Sequence, residues 1–180
     1  MEPRQHTLVL LVEDHPGVLN RIVSLMRRRS FNIDSITVGH SEQTGVSRMT
    51  IQLRGSDDEV EQASKQLYKL LEVLKVVDLS SQEAMIRELV LVKVAAKGAV
   101  RAEVIQTASI YNARVLDATP NSLMIEMAGS EDEIESFLTM MRVYGIREMV
   151  RSGKVALSRV AQKRTGQPDR INDNTFAAAD

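Results

Sequence analysis

An internal repeat constrains this chain more than any other feature of its sequence. Leu8-Val9-Leu10 reappears as Leu89-Val90-Leu91, and Gly17 corresponds to Gly98 at the same spacing. In each copy an apolar run leads to a glycine and then to an amphipathic stretch. Self-similarity of this kind indicates duplicated structure. We therefore expect the 180 residues to form two small consecutive modules.

The first copy shows strand and helix signals in the order βαββαβ. Residues 7–12 are short, apolar and rich in branched side chains, which predicts a central strand, and a helical period follows over residues 17–29. Strands are predicted at 31–38, with a bulge near Asp34-Ser35, at 49–53, with one solvated face, and at 73–79. The second helix is expected to bury Val60, Ala63, Leu67, Leu70, Leu71 and Leu74.

The second copy repeats this order, and its length difference falls in a loop. Ser56 with Glu59, and Ser130 with Glu133, form the capping-box pattern that starts a helix. Pro120-Asn121 replaces the longer polar loop 39–45 of the first copy. The predicted elements are strands near 88–95, 114–118, 122–128 and 146–151, and helices near 99–111 and 131–143.

Each βαββαβ unit predicts an antiparallel four-stranded sheet with two helices on one face, the ferredoxin-like arrangement of the α+β class. We place the first module at residues 1–80, the second at 84–160 and a polar, disordered tail at 161–180. The other face of each sheet, and its edges, would then be available for pairing, which favours a homodimer.

Composition excludes several classes of protein. There is no cysteine, so disulfides and thiolate metal sites are excluded. The net charge is −1 and aromatic residues make up 3%, whereas a nucleic-acid binder normally has a basic face with stacking aromatics. No apolar run is long enough to span a membrane, and no signal segment precedes the first strand. A cytoplasmic location is expected.

The sequence contains no recognisable catalytic constellation. His6, His15 and His40 fall at a strand start, a turn and a hairpin, without metal-ligand spacing. No phosphate-binding glycine loop or nucleophile elbow occurs. We therefore expect neither a metal site nor an active site in this chain.

The turn Asp14-His15-Pro16-Gly17 is a candidate site for an amino acid. The first amides of a helix lack intrahelical partners and lie at its positive dipole end, so they attract a carboxylate. Gly17 permits close approach by the ligand, and Asp14 could accept a hydrogen bond from an ammonium group. The alternative is an ordinary turn in which Asp14 caps its own helix.

These residues, together with Arg21, resemble an ACT domain, the regulatory module that senses amino acids. Further segments resemble the small, regulatory subunit of acetolactate synthase, in a match over about residues 6–160. The segments that carry the resemblance are residues 12–19, 31–38, 47–51, 66–70 and 157–159.

The resemblance implies a non-catalytic partner of a catalytic subunit that itself holds thiamine diphosphate, magnesium and FAD, with no cofactor in this chain. It also implies activation of that subunit, contact through the second module, and feedback inhibition by a branched-chain amino acid, typically valine. Asp14-His15-Pro16-Gly17-Val18-Leu19 would bind the effector, and Asn32 and Ile33 of a second chain would complete the pocket. The family often has asparagine at the position of Asp14.

Two other functions stay open at this point. A free-standing amino-acid sensor would act on another enzyme or regulator, and one that controls transcription would need a DNA-binding element. An enzyme in its own right would need an active site. The sequence does not rank the branched-chain effectors or fix the stoichiometry with the catalytic subunit.

Overall fold

A computed structural model describes residues 4–80 and 84–159, which form two βαββαβ modules. The strands and helices of the first module are β1 (Arg4–Glu13), α1 (Val18–Arg28), β2 (Asn32–His40), β3 (Val46–Gly55), α2 (Asp57–Leu67) and β4 (Val73–Asp78). Those of the second are β5 (Ala84–Ala95), α3 (Val100–Ile110), β6 (Arg114–Thr119), β7 (Ser122–Gly129), α4 (Glu131–Tyr144), β8 (Ile146–Arg151) and β9 (Val155–Ser158).

Both sheets are antiparallel, and their strand orders correspond. The first sheet has the order β2-β3-β1-β4, and the second has β6-β7-β5-β8. The register of β2 against β3 shifts between Ile33 and Ser35, which confirms the predicted bulge. The predicted α+β, ferredoxin-like fold is therefore present twice.

The helices of the first module cover one face of its sheet. Leu8, Leu10 and Val12 of β1 point to this face and pack in one buried cluster with Ile22 and Met26 of α1. The second module has its own cluster, centred on the fully buried Phe137, whose ring meets Tyr111 edge to face at 5.6 Å. Because successive strand side chains alternate between faces, Val9 must point to the opposite side of the sheet.

That opposite side is partly covered by the second module. The first residues of β5 pair with β9, from Ala84 opposite Ser158 to Arg87 opposite Val155. We call this two-stranded extension the β9 arm. Its Ala156, 3% exposed, is buried in a small cluster with Val9 and Leu79 of the first module. Strand β9 was not predicted, and the two modules are packed together through it.

Two expectations about the first module are wrong. Thr50 and Gln52 were predicted on a solvated face of β3, but they are 3% and 1% exposed, because the second module lies over this face. Leu71 and Leu74 were predicted on the buried face of α2, but the helix ends at Leu67, and Leu71 is 92% exposed.

The capping boxes begin helices as expected. Ser56 accepts a hydrogen bond from the backbone amide of Glu59, whose carboxylate accepts one from the Ser56 amide at 2.7 Å. Ser130 and Glu133 repeat this arrangement at the start of α4. The predicted tail at 161–180 and most of the predicted linker near 80–84 lie outside the described residues.

Candidate effector site

The turn between β1 and α1 leaves the start of helix α1 without a side-chain cap. Gly17 occupies the N-cap position in a left-handed conformation, with φ at 95°, and no side chain caps the first turn. The alternative in which Asp14 caps its own helix is therefore not found. The first intrahelical bond runs from the amide of Arg21 to the carbonyl of Gly17 at 3.0 Å. The amides of Val18, Leu19 and Asn20 precede that bond.

Helix α1 also differs from the other described helices in its first-turn charge. It has no acidic residue there, whereas α2 and α4 each have three and α3 has Glu103. A carboxylate in the first turn would partly neutralise the positive dipole end. The start of α1 therefore keeps both its unpaired donors and its positive potential, which are the requirements for binding an external carboxylate.

Space is available in front of this helix end. A Cβ atom placed on Gly17 would meet no other atom within 4 Å. Pro16 and Gly17 are exposed, Leu19 is 44% exposed, and Val18 is buried in the core at 3%. A ligand at the turn could therefore contact the backbone and Leu19, while Val18 anchors the helix below it.

The β2–β3 hairpin closes one side of the turn. The Asp14 amide donates to the Gly45 carbonyl at 2.8 Å, and the Asp14 carboxylate lies 3.1 Å from Nδ1 of His40. His15 is held by its neighbours, with Nε2 at 3.1 Å from the Glu13 carboxylate. Asp14 is thus oriented by backbone and side chain, with its carboxylate still partly exposed.

A second contact ties the end of β1 to the start of β4. The carbonyl of Glu72 accepts from the amide of Glu13 at 2.9 Å, and its carboxylate, which is largely buried, pairs with Arg21 of α1. The sequence reasoning missed His40 and Glu72 as parts of this region. Both are distant from Asp14 along the chain, and only the sheet brings them to it.

The structure does not bring Asn32 and Ile33 to this turn within one chain. Glu13 pairs with Val46 at one end of β3, whereas Asn32 pairs with Arg54 near the other end. Val46 and Arg54 are eight positions apart along β3, which is about 26 Å at the usual rise. One small ligand cannot contact both sets of residues unless a second chain supplies one of them.

The corresponding turn of the second module is built differently. Ala95 occupies the position of Asp14, and the N-cap of α3 is Ala99 in a right-handed conformation. Gly98 keeps a positive φ of 60°. The second copy therefore has the glycine of the turn but neither the carboxylate nor the proline.

Metal-binding clusters and membrane-spanning helices are both absent from the described residues. No group of three or more histidine, aspartate or glutamate side chains in residues 4–80 and 84–159 could hold a metal ion. None of the four described helices is long and apolar enough to cross a bilayer.

Comparison with known proteins decides the family. The family model described as the AHAS small subunit-like ACT domain matches residues 8–75, and that of the small subunit of acetolactate synthase matches residues 87–160. A probable acetolactate synthase small subunit from Archaeoglobus fulgidus is 45% identical over 159 residues, covering 88% of this chain and 99% of that protein. The chain belongs to the acetolactate synthase small-subunit family.

Further relatives of the family agree over the same length. The acetolactate synthase small subunit of Mycobacterium bovis is 44% identical over 88% of this chain and 95% of its own. The crystal structure of the small subunit from Thermotoga maritima superposes with a TM-score of 0.83 at 36% identity, covering 88% of this chain and 99% of that one. Membership of this family implies a regulatory role and a place in branched-chain amino acid biosynthesis.

Proposed function

We propose that this chain is the regulatory subunit of an acetolactate synthase, which activates the catalytic subunit and makes it sensitive to feedback inhibition by valine or another branched-chain amino acid. The chain itself would perform no chemistry. Thiamine diphosphate, magnesium and FAD would belong to the catalytic partner. The observation that carries the proposal is the uncapped, acid-free start of α1 behind Gly17, in a chain of this family.

An α-amino acid matches both charges of the turn. Its carboxylate would accept hydrogen bonds from the amides of Val18 and Leu19, and its ammonium group would donate to Asp14. The exposed side chain of Leu19 offers an apolar contact for the branched end of the effector. His15, Pro16 and Gly17 would hold the backbone of the turn in the conformation that presents these amides.

The distance from the turn to Asn32 and Ile33 supports a homodimeric site. Strand β2 lies at an edge of the first sheet, so one side of its backbone has no strand partner among the described residues. Unpaired edges of this kind pair readily with another chain. We propose that β2 lies at the dimer interface, and that Asn32 and Ile33 of one protomer complete the pocket at the turn of its partner.

Calorimetric titration of the full-length chain with valine, leucine and isoleucine tests the effector site. We expect saturable binding of at least one of the three, with no displacement of the bound amino acid by the corresponding 2-oxo acid, because that acid lacks the ammonium group. The order of the three depends on pocket size, since one methylene changes binding by about 1–3 kcal/mol. Failure of all three amino acids to bind would contradict the effector assignment.

A free-standing amino-acid sensor remains the second candidate. It predicts effector binding without any change in acetolactate synthase activity when the chain is mixed with the catalytic subunit. Co-purification separates the candidates, because only a regulatory subunit should form a complex with that partner. The second module, which lacks Asp14 and Pro16 equivalents, is proposed to make the contact.

A further inference from the structure

On the face of the first sheet that is opposite its helices, strand β3 carries a row of polar side chains that the effector site does not use. Arg48, Thr50 and Gln52 occupy alternate positions, so they point to the same face of the sheet. The β9 arm lies over this face. Thr50 is 3% and Gln52 is 1% exposed, and Arg48 is half-buried in an interior strand. An interior, covered strand face would ordinarily be apolar.

The hydrogen-bonding capacity of this row is only partly used. Gln52 accepts a hydrogen bond from Thr7 at 3.1 Å, but its Nε2 atom has no partner among the described residues. Arginine ion pairs in the described residues involve other positions, namely Arg4, Arg21, Arg54, Arg114, Arg142 and Arg151. Buried polar groups normally have partners, and a partly desolvated charge without one is costly. Gln52 lines a separate cavity with Thr7 and Lys154, so Arg48 is the member of the row whose charge requires an acceptor on the side of the cleft described below.

A cleft of about 560 Å³ adjoins the row, between the first sheet and the β9 arm. Arg48 and Thr50 line one wall, and Arg87 lies on the opposite wall, contributed by the arm. Glu42 is the one carboxylate that lines the cleft among the described residues. The two arginines therefore give the cleft an excess of positive charge. The volume of the cleft lies within the range of about 300–1,000 Å³ that is usual for small-molecule sites.

The remaining lining of the cleft has a polar part, with Thr37, His40 and Ser41, and an apolar part. Val38, Met85 and Leu157 belong to the apolar part, and they are 44%, 39% and 57% exposed. Apolar walls with a few convergent polar groups are typical of sites for small organic ligands. A guanidinium group favours a carboxylate because it can donate to both of its oxygens, and Arg87, which donates one bond to the Ile86 carbonyl at 2.9 Å, keeps further donors.

We infer that this inter-module cleft binds a small aliphatic carboxylate. Arg48 and Arg87 receive the carboxylate, Thr50 donates from its hydroxyl, and the aliphatic body contacts Met85 and Leu157. The ligand needs no ammonium group, which distinguishes the cleft from the turn at Gly17. The inference does not depend on the proposed function, since binding here can be measured whether or not the chain regulates an enzyme.

Methyl NMR of the full-length chain tests the site. We would label methionine methyl groups with ¹³C and titrate with 4-methylpentanoate, using 4-methylpentanamide as a neutral probe of the same shape. We expect a saturable shift of the Met85 methyl resonance with the carboxylate and at least about tenfold weaker binding of the amide, because hydrogen bonds to charged groups contribute about 1.5–3 kcal/mol. Equal binding of the two probes, or no shift of Met85, would overturn the inference.

Matched variants locate the carboxylate. We expect Arg48→Gln combined with Arg87→Gln to weaken binding of 4-methylpentanoate at least about tenfold. Arg54→Gln is the control, because Arg54 lies on the same strand, pairs with Asp34 and does not line the cleft. Gly17→Asp should leave this binding unchanged. An equal loss with Arg54→Gln, or a loss with Gly17→Asp, would place the ligand elsewhere.

Thr50→Val keeps the test decisive if the double arginine variant does not fold. Valine preserves the shape of the side chain and removes the hydroxyl. We expect binding of 4-methylpentanoate to weaken about threefold to tenfold, in the range of one neutral or charge-assisted hydrogen bond. Unchanged binding in this variant would contradict the role of Thr50. If the double arginine variant is also unfolded, unchanged binding in Thr50→Val would count against the site as a whole.

Discussion

His40 Nδ1 lies 3.1 Å from a carboxylate oxygen of Asp14, so the β2–β3 hairpin reaches the turn that precedes α1. In the second module the short Pro120-Asn121 hairpin reaches the corresponding turn through its backbone, with the Ala96 amide donating to the Asn121 carbonyl at 3.0 Å, and Ala95 stands at the position of Asp14 without a carboxylate. The longer hairpin and the acidic turn therefore occur together in the same copy. This pairing makes Asp14 a partly occupied acceptor, which an effector ammonium group would share with His40.

Asp14→Ala should weaken effector binding about tenfold to a hundredfold, because the ammonium group loses a charged acceptor. His40→Ala should leave the affinity unchanged or raise it, because it frees the carboxylate. Calorimetric titration with the best-binding amino acid measures both. Glu61→Ala is the control, since Glu61 is an exposed acid on α2 that pairs with Lys65. Weaker binding by the control variant would count against a specific role for Asp14.

Gly17→Asp should abolish inhibition by the amino acid while preserving activation of the catalytic subunit. The added carboxylate would lie where the effector carboxylate belongs, and open space in front of Gly17 means that charge, not a steric clash, causes the loss. Gly17→Ala measures the effect of the backbone strain without the added charge. This strain costs about 1–2 kcal/mol of folding stability for a non-glycine residue in the left-handed conformation. Gly98→Asp is the matched variant in the second module, at φ 60°, and should keep inhibition. Loss of both activation and inhibition in Gly17→Asp would indicate a folding defect.

Arg151→Gln should lower the free energy of unfolding by about 2–4 kcal/mol, because it leaves the buried Glu88 without its charged partner. Arg151 donates to both oxygens of Glu88, at 2.9 and 2.6 Å, and also pairs with Glu135 of α4. Arg151→Lys should recover only part of the loss. Lysine restores the positive charge, but it cannot donate to both carboxylate oxygens in the planar arrangement of arginine. Urea unfolding measures the effect. A loss of the same size in Arg147→Gln, an exposed arginine of the same strand, would contradict this account.

Stability should depend on acid pH through the capping boxes. Hydrogen bonds from the backbone and hydroxyl of Ser56 lower the pKa of Glu59 below its ordinary value of 4.5, and those from Ser130 do the same for Glu133. Because the folded pKa is depressed, the stabilisation is present above pH 4.5 and is lost as the pH falls through the folded value. The stability difference between the wild type and Glu59→Gln should therefore shrink on acidification. A difference independent of pH would contradict the assignment.

The sequence predicted the local structure well because local rules decide it. The bulge after Ile33 followed from a slip in alternation, and both capping boxes followed from Ser and Glu at the required spacing. Leu71 was misplaced because the helical spacing of apolar residues in the sequence continues past Leu67, where α2 ends. Tyr68 follows the last residue of the helix, and its hydroxyl donates to the carbonyl of Val76 and accepts from the amide of Val76 on the edge strand β4.

Contacts between the modules could not be predicted in this way. The alternation of β3 predicted a solvated face, and nothing local revealed that the β9 arm would cover Thr50 and Gln52. Strand β9 has four residues and pairs with a distant part of the chain, so it has little local signal. For the same reason, the approach of His40 to Asp14 and the two-arginine cleft emerged only from the fold.

Reconstitution with the catalytic subunit tests the central claim most directly. Acetolactate formation by that subunit would be measured alone, with the full-length chain, and with the chain plus valine, leucine or isoleucine. We predict that the chain raises the rate and that at least one of the amino acids lowers it again, with the lowering lost in Gly17→Asp. A rate that does not change when the chain is added, under conditions where the folded chain is in excess, would contradict the claim.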